Sequence, residues 1–369
     1  MNTLAFTKFV QEGTHYEIGR QRGEYARNNN ELTKCLTELP EGMLRPSNED
    51  IRKRQALFEK WCPGIGYELK GLADGLNVAE EQLTHYCYGY NEHPRGCSIV
   101  AVSPHIAMDG HTLVARSYEY SSDDELIYSV TRVDGKYAHA GFSLFHVGRF
   151  DGINEKGMCV AISSTECVHS SDGEGNGIHF WIAVRSVLDN CANTEEALRL
   201  LEDMPIASNV NIMLADSLGD CAVVEILNLR GVSTKAVRRN DGYLCAFNHY
   251  RDSLHTSKFP GRRYFSAVRE DIVDKFMREH GKVEVNDLKD LLSDRIPAGL
   301  CCHAYSDWFG TLRSMVFDVT EHKLWVCFGS PESGSWFQAD LNAKVELVEY
   351  EIPYTDEKKP EYFWEEKEY

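Results

Sequence analysis

The chain has 369 residues, enough for one large domain or two ordinary ones, and its 43% hydrophobic and 11% aromatic content supplies a core and excludes disorder. Its 39 Lys and Arg stand against 57 Asp and Glu, and the formal charge of −18 repels phosphate backbones and anionic lipid, so neither nucleic acid nor membrane is an expected partner. No apolar run reaches the roughly 18–20 residues of a bilayer crossing and no secretion signal is read at the start, so a cytoplasmic protein is expected.

Residues 1–95 read as mostly helical. Residues 16–39 are rich in Glu, Arg and Leu; Leu69, Leu72 and Leu76 form a second stripe closed by Gly75 and Asn77; residues 79–90 make a third helix. The character then changes to short alternating or apolar runs at 98–103, 111–117, 126–133, 137–145 and 158–162, with an Asp109-Gly110 hairpin signal between the first two. Two helices follow, at 178–188 and at 197–204, the second opened by Asn193 three residues before Glu196. A second strand group occupies 211–216, 221–227, 232–238 and 243–247. Another helix pair follows it, over 264–277 with Gly281 as C-cap and from Asn286 onward, and residues 312–319 and 323–328 form a closing hairpin. The tail after Pro353 reads as peripheral. Strands in blocks and helices in blocks predict α+β layers with helices outside two sheets. The run Gly173–Gly177 lacks the strand-to-helix setting of a dinucleotide fingerprint and is discounted.

The twelve cysteines are scattered and include no C-x-x-C pair, so reduced thiols are expected and no metal or cofactor is. One of them sits in a distinctive place. Asn91-Glu-His-Pro-Arg-Gly-Cys-Ser98 lies where helices give way to sheet, with Gly96 and Cys97 at the seam. An internal Cys held in a strained turn can attack the preceding carbonyl, and Gly96 permits conformations a side chain would exclude. Hydrolysis of the resulting thioester leaves Cys97 as a new N-terminus. Such a residue carries its own nucleophile, a thiol of unperturbed pKa about 8.5, and its own base, an α-amine of pKa about 7.7–8.0. By themselves the two residues read as an inert thiol at a strand start.

Seven segments, in order along the chain and with the cleavage site among them, carry a resemblance. They are Thr14-His-Tyr-Glu-Ile-Gly-Arg-Gln-Arg-Gly23; Trp61-Cys-Pro with Glu68-Leu-Lys-Gly-Leu-Ala-Asp-Gly75; Arg95-Gly-Cys-Ser98; Asp109-Gly through Ala115-Arg-Ser-Tyr-Glu119; Asp151-Gly-Ile-Asn-Glu-Lys-Gly157; Cys245-Ala-Phe-Asn-His-Tyr250; and Gly310-Thr-Leu with Val316-Phe-Asp318 and Phe328-Gly-Ser-Pro331. Together the chain resembles the acyl-coenzyme A:6-aminopenicillanic acid acyltransferase family of N-terminal-nucleophile (Ntn) hydrolases, and more distantly the choloylglycine hydrolases.

The resemblance implies a four-layer αββα sandwich, with residues 1–96 as a helical leader segment and 97–369 as the catalytic domain. It implies self-cleavage between Gly96 and Cys97, with Cys97 as nucleophile. Glu119 falls where relatives usually carry an Asp that contacts the new amine. Arg116 matches an arginine beside the nucleophile; on an ideal strand it and Glu119 face opposite ways, so both reach Cys97 only if the chain bends near Tyr118. Asn248 matches an asparagine whose amide donates to the developing oxyanion, and His249 is expected to be structural. Ser164 stands where bile-salt relatives have a second Asn. Asp307-Trp308-Phe309 stands where the penicillin branch has an Arg, a loss that Arg313 or His303 is placed to offset.

The expected activity is hydrolysis of a small-molecule N-acyl amide, with Tyr118, Tyr120, Trp308 and Phe309 suited to an apolar moiety. Acyl transfer from a thioester to an amine is the alternative within the enzyme reading, and a non-catalytic small-molecule-binding relative is the alternative outside it. A metal hydrolase built on Cys301, Cys302 and His303 is disfavoured because adjacent cysteines do not easily face one ion. Relatives often work as oligomers, so a homo-oligomer is allowed.

Overall fold

A computed structural model describes residues 2–39, 47–83, 96–144, 146–165, 177–229, 232–260, 262–359 and 361–367. Residues 91–95 of the cleavage motif, residues 84–90 of the third predicted helix, position 145, and most of the discounted glycine run lie outside them.

The first departure from expectation is at the start. Residues 2–13 form a strand, β1 (Asn2–Gly13), not helix. The predicted helix over 16–39 is two, α1 (His15–Ala26) and α2 (Asn30–Thr37). Thr14 and Glu17 close a capping box on α1, and Asn29 caps α2, which is why the chain breaks there. Helix α3 (Asn48–Trp61), not anticipated, is opened by a second box between Ser47 and Asp50. Helix α4 (Ile65–Leu76) ends at Asn77 in the left-handed region (φ 62°). Of the predicted third helix, the described residues show one 3-10 turn at Glu80–Gln82.

Helices α1 and α4 pack backbone to backbone. A Cβ at Gly19 or Gly23 would strike the carbonyls of Glu68 or Leu72, and one at Gly71 or Gly75 those of Tyr16 or Arg20. This close approach is the physical content of the two glycine-bearing leader motifs. It carries Glu68 into a buried network. Its carboxylate accepts from Arg22 Nη1 (2.9 Å), from Arg185 Nη1 and Nη2 (3.2 and 3.1 Å), and pairs with His15 Nδ1 (3.1 Å). Arg185 also donates to Asp189 from Nε (2.9 Å).

The remaining elements run β2 (Gly96–Val102), β3 (Leu113–Tyr120), β4 (Ile127–Val133), β5 (His139–Leu144), β6 (Gly148–Arg149), β7 (Asp151–Asn154) and β8 (Met158–Ser164), then α5 (Phe180–Asn190) and α6 (Thr194–Asp203). After them come β9 (Val210–Asp216), β10 (Cys221–Leu229), β11 (Val232–Arg238), β12 (Tyr243–Ala246), α7 (Ser253–Thr256), β13 (Arg262–Arg263), α8 (Tyr264–His280) and α9 (Val285–Ser293). The chain closes with β14 (His303–Ala304), β15 (Phe309–Asp318), β16 (Lys323–Phe328), β17 (Trp336–Gln338), β18 (Glu346–Tyr354) and β19 (Glu366–Lys367). Gly281 follows α8 at φ 64°, as its predicted C-cap role requires.

A ten-stranded sheet has the order β11-β10-β9-β8-β7-β5-β4-β1-β18, with β6 on β5. A seven-stranded sheet has the order β12-β2-β3-β15-β16-β17, with β14 on β15. The expected four-layer αββα sandwich is therefore present: α5 and α6 cover the first sheet, α8 and α9 the second, and β2 packs against β8 and β9 between them. Strand β1 runs parallel to β4 and antiparallel to β18, so the N-terminal segment is woven into the larger sheet.

Alternation along β2 and β3 divides two cores. Cys97, Ile99, Ala101, Val114 and Tyr118 belong to the cluster between the sheets, whereas Val100, Val102, Leu113 and Ala115 join α8 and α9 outside.

Candidate active site

Strand β2 places Cys97 one residue inside the smaller sheet, fully buried. The register Gly96↔Glu119, Cys97↔Tyr118, Ile99↔Arg116 puts Cys97, Arg116 and Tyr118 on the interlayer face and Glu119 on the helix-covered face. The β2–β3 pairing is regular through these positions, so there is no bend near Tyr118. Odd separation separates Arg116 from Glu119, as an undistorted strand dictates.

Arg116 Nη2 lies 4.0 Å from Cys97 Sγ. Its Nε donates to Asp151 Oδ2 (2.5 Å) and its Nη1 to the Ile162 carbonyl (2.6 Å), so β7 and β8 of the facing sheet hold it in place. Burial works against its charge, but Asp151 and the neighbouring sulfur outweigh that, and its pKa is raised.

Asn248 lies two residues past the end of β12, whose backbone pairing with β2 stops at Ala246↔Ile99. Beyond that point the side chain takes over: Asn248 Oδ1 accepts the Cys97 backbone N–H (3.0 Å) and a second bond from Arg269 Nη2 (2.5 Å). Asn248 Nδ2 donates to the Ser164 carbonyl (2.7 Å). A guanidinium and a backbone amide can only donate, so the oxygen must face them and a flipped amide is excluded. In the intact chain one N–H of the Asn248 amide is engaged by Ser164, and its oxygen addresses Cys97.

Glu119, fully buried, accepts from Arg269 Nη1 (2.9 Å) and bonds Ser117 Oγ. Burial raises its pKa against the pull of Arg269. Its Oε2 would lie 2.7 Å from a Cβ at Gly96, and the Phe309 ring would lie 2.5 Å from the same atom. Gly96 sits in extended strand, outside the positive-φ glycines, so space rather than an unusual conformation demands glycine here. Gly96→Ala is expected to lower stability by about 1–3 kcal/mol through overpacking. Urea denaturation checks this, and an unchanged midpoint would show the Phe309 ring moving aside at no cost.

Arg313 also enters the interlayer. On β15 the register shifts between Thr311↔Glu119 and Arg313↔Tyr118, so Leu312 is an extra residue. That bulge swings Arg313 to the face of Tyr118, where its guanidinium carbon lies 4.0 Å from the Tyr118 ring centroid and 4.1 Å from that of Phe142. Its Nη2 lies 3.4 Å from Asp151 Oδ2. His303 is elsewhere: its Nε2 contacts Ser330 Oγ (2.7 Å) and Cys301 Sγ (3.4 Å). His249 bonds Ser266 Oγ through Nδ1 (2.7 Å) and Glu270 through Nε2 (3.1 Å), while Ser266 Oγ accepts from the Asn248 backbone (3.0 Å).

The four aromatic candidates are split. Tyr118 and Tyr120 face the interlayer with Trp308 5.9 Å from Tyr120, whereas Phe309 packs outside on Phe265 (4.8 Å). A cavity of about 290 Å³ opens on that outer side, lined by Phe265, Cys302, His303 and Phe363 among others. Cys97 is not among its walls.

Residues 107–333, more than half of the chain, match the sequence model of the acyl-coenzyme A:6-aminopenicillanic acid acyl-transferase family. The chain belongs to that family. A comparison with curated proteins finds no match. Among solved structures, a variant of conjugated bile acid hydrolase from Clostridium perfringens is similar at 14% identity and TM-score 0.46, covering 72% of this chain and 99% of that one. Penicillin V acylase from Agrobacterium tumefaciens is similar at 15% identity and TM-score 0.39, covering 66% and 86%. The Caenorhabditis elegans ortholog of N-acylethanolamine-hydrolyzing acid amidase is similar at 15% identity and TM-score 0.43, covering 61% and 93%. These likenesses are distant, and the family match carries the assignment.

Among the described residues one group could hold a metal: Asp109, His111 and Asp318. Both carboxylates contact the same ring nitrogen, His111 Nδ1, at 3.3 and 2.9 Å, the geometry of an ion pair tying the β2–β3 loop to β15. Cys301, Cys302 and His303 form no such group. The ten described cysteines are all free. No helix among the described residues is long and apolar enough to cross a membrane.

Sequence reasoning missed one residue at this site. Arg269, on α8, touches Ser98, Glu119 and Asn248 at once. A usable signal was present: Arg269 falls one turn after Phe265 on the apolar stripe of α8, where a buried arginine needs partners.

Proposed function

We propose that this chain is a self-processing Ntn amidohydrolase that cuts itself between Gly96 and Cys97 and then cleaves small-molecule N-acyl amides through an acyl-Cys97 intermediate. The observation that supports this most is the Arg116 guanidinium 4.0 Å from Cys97 Sγ, in a fully buried site. In the maturation step the sulfur attacks the Gly96 carbonyl carbon, the C–N bond breaks as the C–S bond forms, and water then hydrolyses the thioester. The freed amine keeps Asn248 Oδ1 as its acceptor. In turnover that amine takes the thiol proton as sulfur attacks the substrate carbonyl and returns it to the departing amine. Water completes the cycle; an amine in its place would make the same intermediate serve acyl transfer. The bile acid hydrolase, penicillin V acylase and acylethanolamine amidase named above motivate the amide substrate class, and the interlayer aromatics suit an apolar acyl chain.

The test is intact mass and N-terminal sequencing of purified protein beside Cys97→Ala. The expected result is a new N-terminus reading Cys-Ser-Ile-Val, absent from the variant. A wild-type chain that stays whole on prolonged incubation would sink the mechanism. A second reading, a non-catalytic binding relative, draws on the engagement of Asn248 Nδ2 by Ser164, which ties up one of that amide's two N–H groups. Under that reading the chain stays uncut and ligand affinity is the same in Cys97→Ala.

A further inference from the structure

Helix α8 reaches the Gly96–Cys97 junction through one side chain. Arg269 Nη1 donates to Ser98 Oγ (3.0 Å) and Glu119 Oε2 (2.9 Å), and Nη2 donates to Asn248 Oδ1 (2.5 Å). It is fully buried, with the Phe265 and Phe309 ring centroids 5.1 and 5.3 Å from its guanidinium carbon. The three contacts surround the peptide: Ser98 follows Cys97, Asn248 accepts the Cys97 N–H, and Glu119 lies against Gly96.

Resting on the Ntn reading above, we infer that Arg269 is the positioning residue for the Cys97 nitrogen: it orients Asn248 toward that nitrogen and, once cleavage frees it, keeps the amine neutral and able to act as base. The orientation follows from donor counting. Asn248 Oδ1 accepts from both Arg269 and Cys97, so the guanidinium locks the amide in the orientation the nitrogen needs. The electrostatics follow from placement. A protonated amine would sit one hydrogen bond from an oxygen already held by a permanent cation, and like charge disfavours the protonated form.

The other charged groups around this nitrogen, among the described residues, set the balance. Glu119, on β3, is paired with Arg269 and opposes it, which is why its own variant moves the midpoint the other way. Arg116, also on β3, lies on the sulfur side and is matched by Asp151 on β7. His249 and Glu270 stand behind Ser266, paired with each other.

The experiment reads the α-amine directly. Mature protein is pulsed with acetic anhydride across pH, thioesters are removed with hydroxylamine, and mass spectrometry follows acetylation of the peptide beginning at Cys97. Arg269→Gln removes the cation and leaves the Glu119 carboxylate beside the amine, so the midpoint is expected to rise by about one pH unit or more. Arg269→Lys keeps the charge and should hold the midpoint near wild type, and Glu119→Gln should lower it.

A midpoint unchanged in Arg269→Gln, or unchanged in Glu119→Gln if the first variant does not fold, overturns the inference. If Arg269→Gln folds but is not cut while Arg269→Lys is cut, the orienting role stands; if both fold and neither is cut, charge at this position is not what the site requires and the inference falls. A wild-type chain that never cuts is a different failure, that of the Ntn reading itself.

Discussion

Self-cleavage of Arg116→Gln is expected to be about 100-fold slower than wild type, since displacing a reacting group by about 1 Å costs roughly that much. Arg116 Nη2 is 4.0 Å from Cys97 Sγ, and its bonds to Asp151 and the Ile162 carbonyl fix it there. A urea midpoint near that of wild type beside the slow cleavage separates a loss at the site from a misfolded one. Fold damage should be limited, because Asp151 keeps the Phe142 N–H (3.1 Å) and has Arg313 within 3.4 Å to take up its charge. Wild-type cleavage rates in Arg116→Gln would show that this guanidinium serves the sheet contact alone.

The second large effect lies far from the cysteine. Glu68→Gln is expected to destabilise the protein by about 3–5 kcal/mol, since it leaves Arg22 and Arg185, both fully or nearly fully buried, facing a neutral amide. That is a large share of a stability of about 5–15 kcal/mol. The sign with pH is fixed by the Glu68 carboxyl. Burial would raise its pKa, but Arg185 and Arg22 outweigh this and hold it far below the ordinary value. A depressed folded-state pKa stabilises above the unfolded value of about 4.3 and is lost as pH falls through the folded one, so wild type should lose stability steeply below about pH 4 and Glu68→Gln should lack that slope. Urea titrations at several pH values measure both. A loss under about 1 kcal/mol would mean the two guanidinium groups find other acceptors.

How much of this was legible depended on whether the information was local. Period-2 and period-3.6 patterns located β2 to β5, β8 to β12, α5, α6, α8 and β16 to within a few residues, because each except the half-exposed β11 has a dry face and each has a distinct punctuation. Strand β1 was invisible for the opposite reason. Buried between β4 and β18, it reads Leu-Ala-Phe-Thr-Lys-Phe-Val, with three consecutive buried positions at its end and no clean alternation. Strand β18 is the sheet's edge, half exposed and rich in Glu, and resembles a solvated tail.

At the site the same divide holds. The odd spacing of Arg116 and Glu119 stated their opposite faces outright. The position of Arg313 did not, since parity from Thr311 gives the wrong side until the Leu312 bulge is known. The apolar stripe of α8 marks Arg269 as in need of partners, but which partners it and Asn248 take depends on contacts 18 to 171 residues apart, which no local pattern encodes.

The weaving of β1 has a consequence for the life history of the molecule. Among the described residues, strand β18, from the far end of the chain, is hydrogen-bonded into the sheet through β1 alone. If the chain cuts at Gly96, the fragment that leaves the covalent backbone still holds the last strand of the larger piece in place. The precursor can then find its fold as one polymer, with every contact intramolecular. The two-chain product, once melted, must bring its pieces together by diffusion, against an exposed β4 edge that invites mispairing. Folding would be encoded once, before the cut, and the mature protein would persist by the height of its unfolding barrier and not by any ability to rebuild itself.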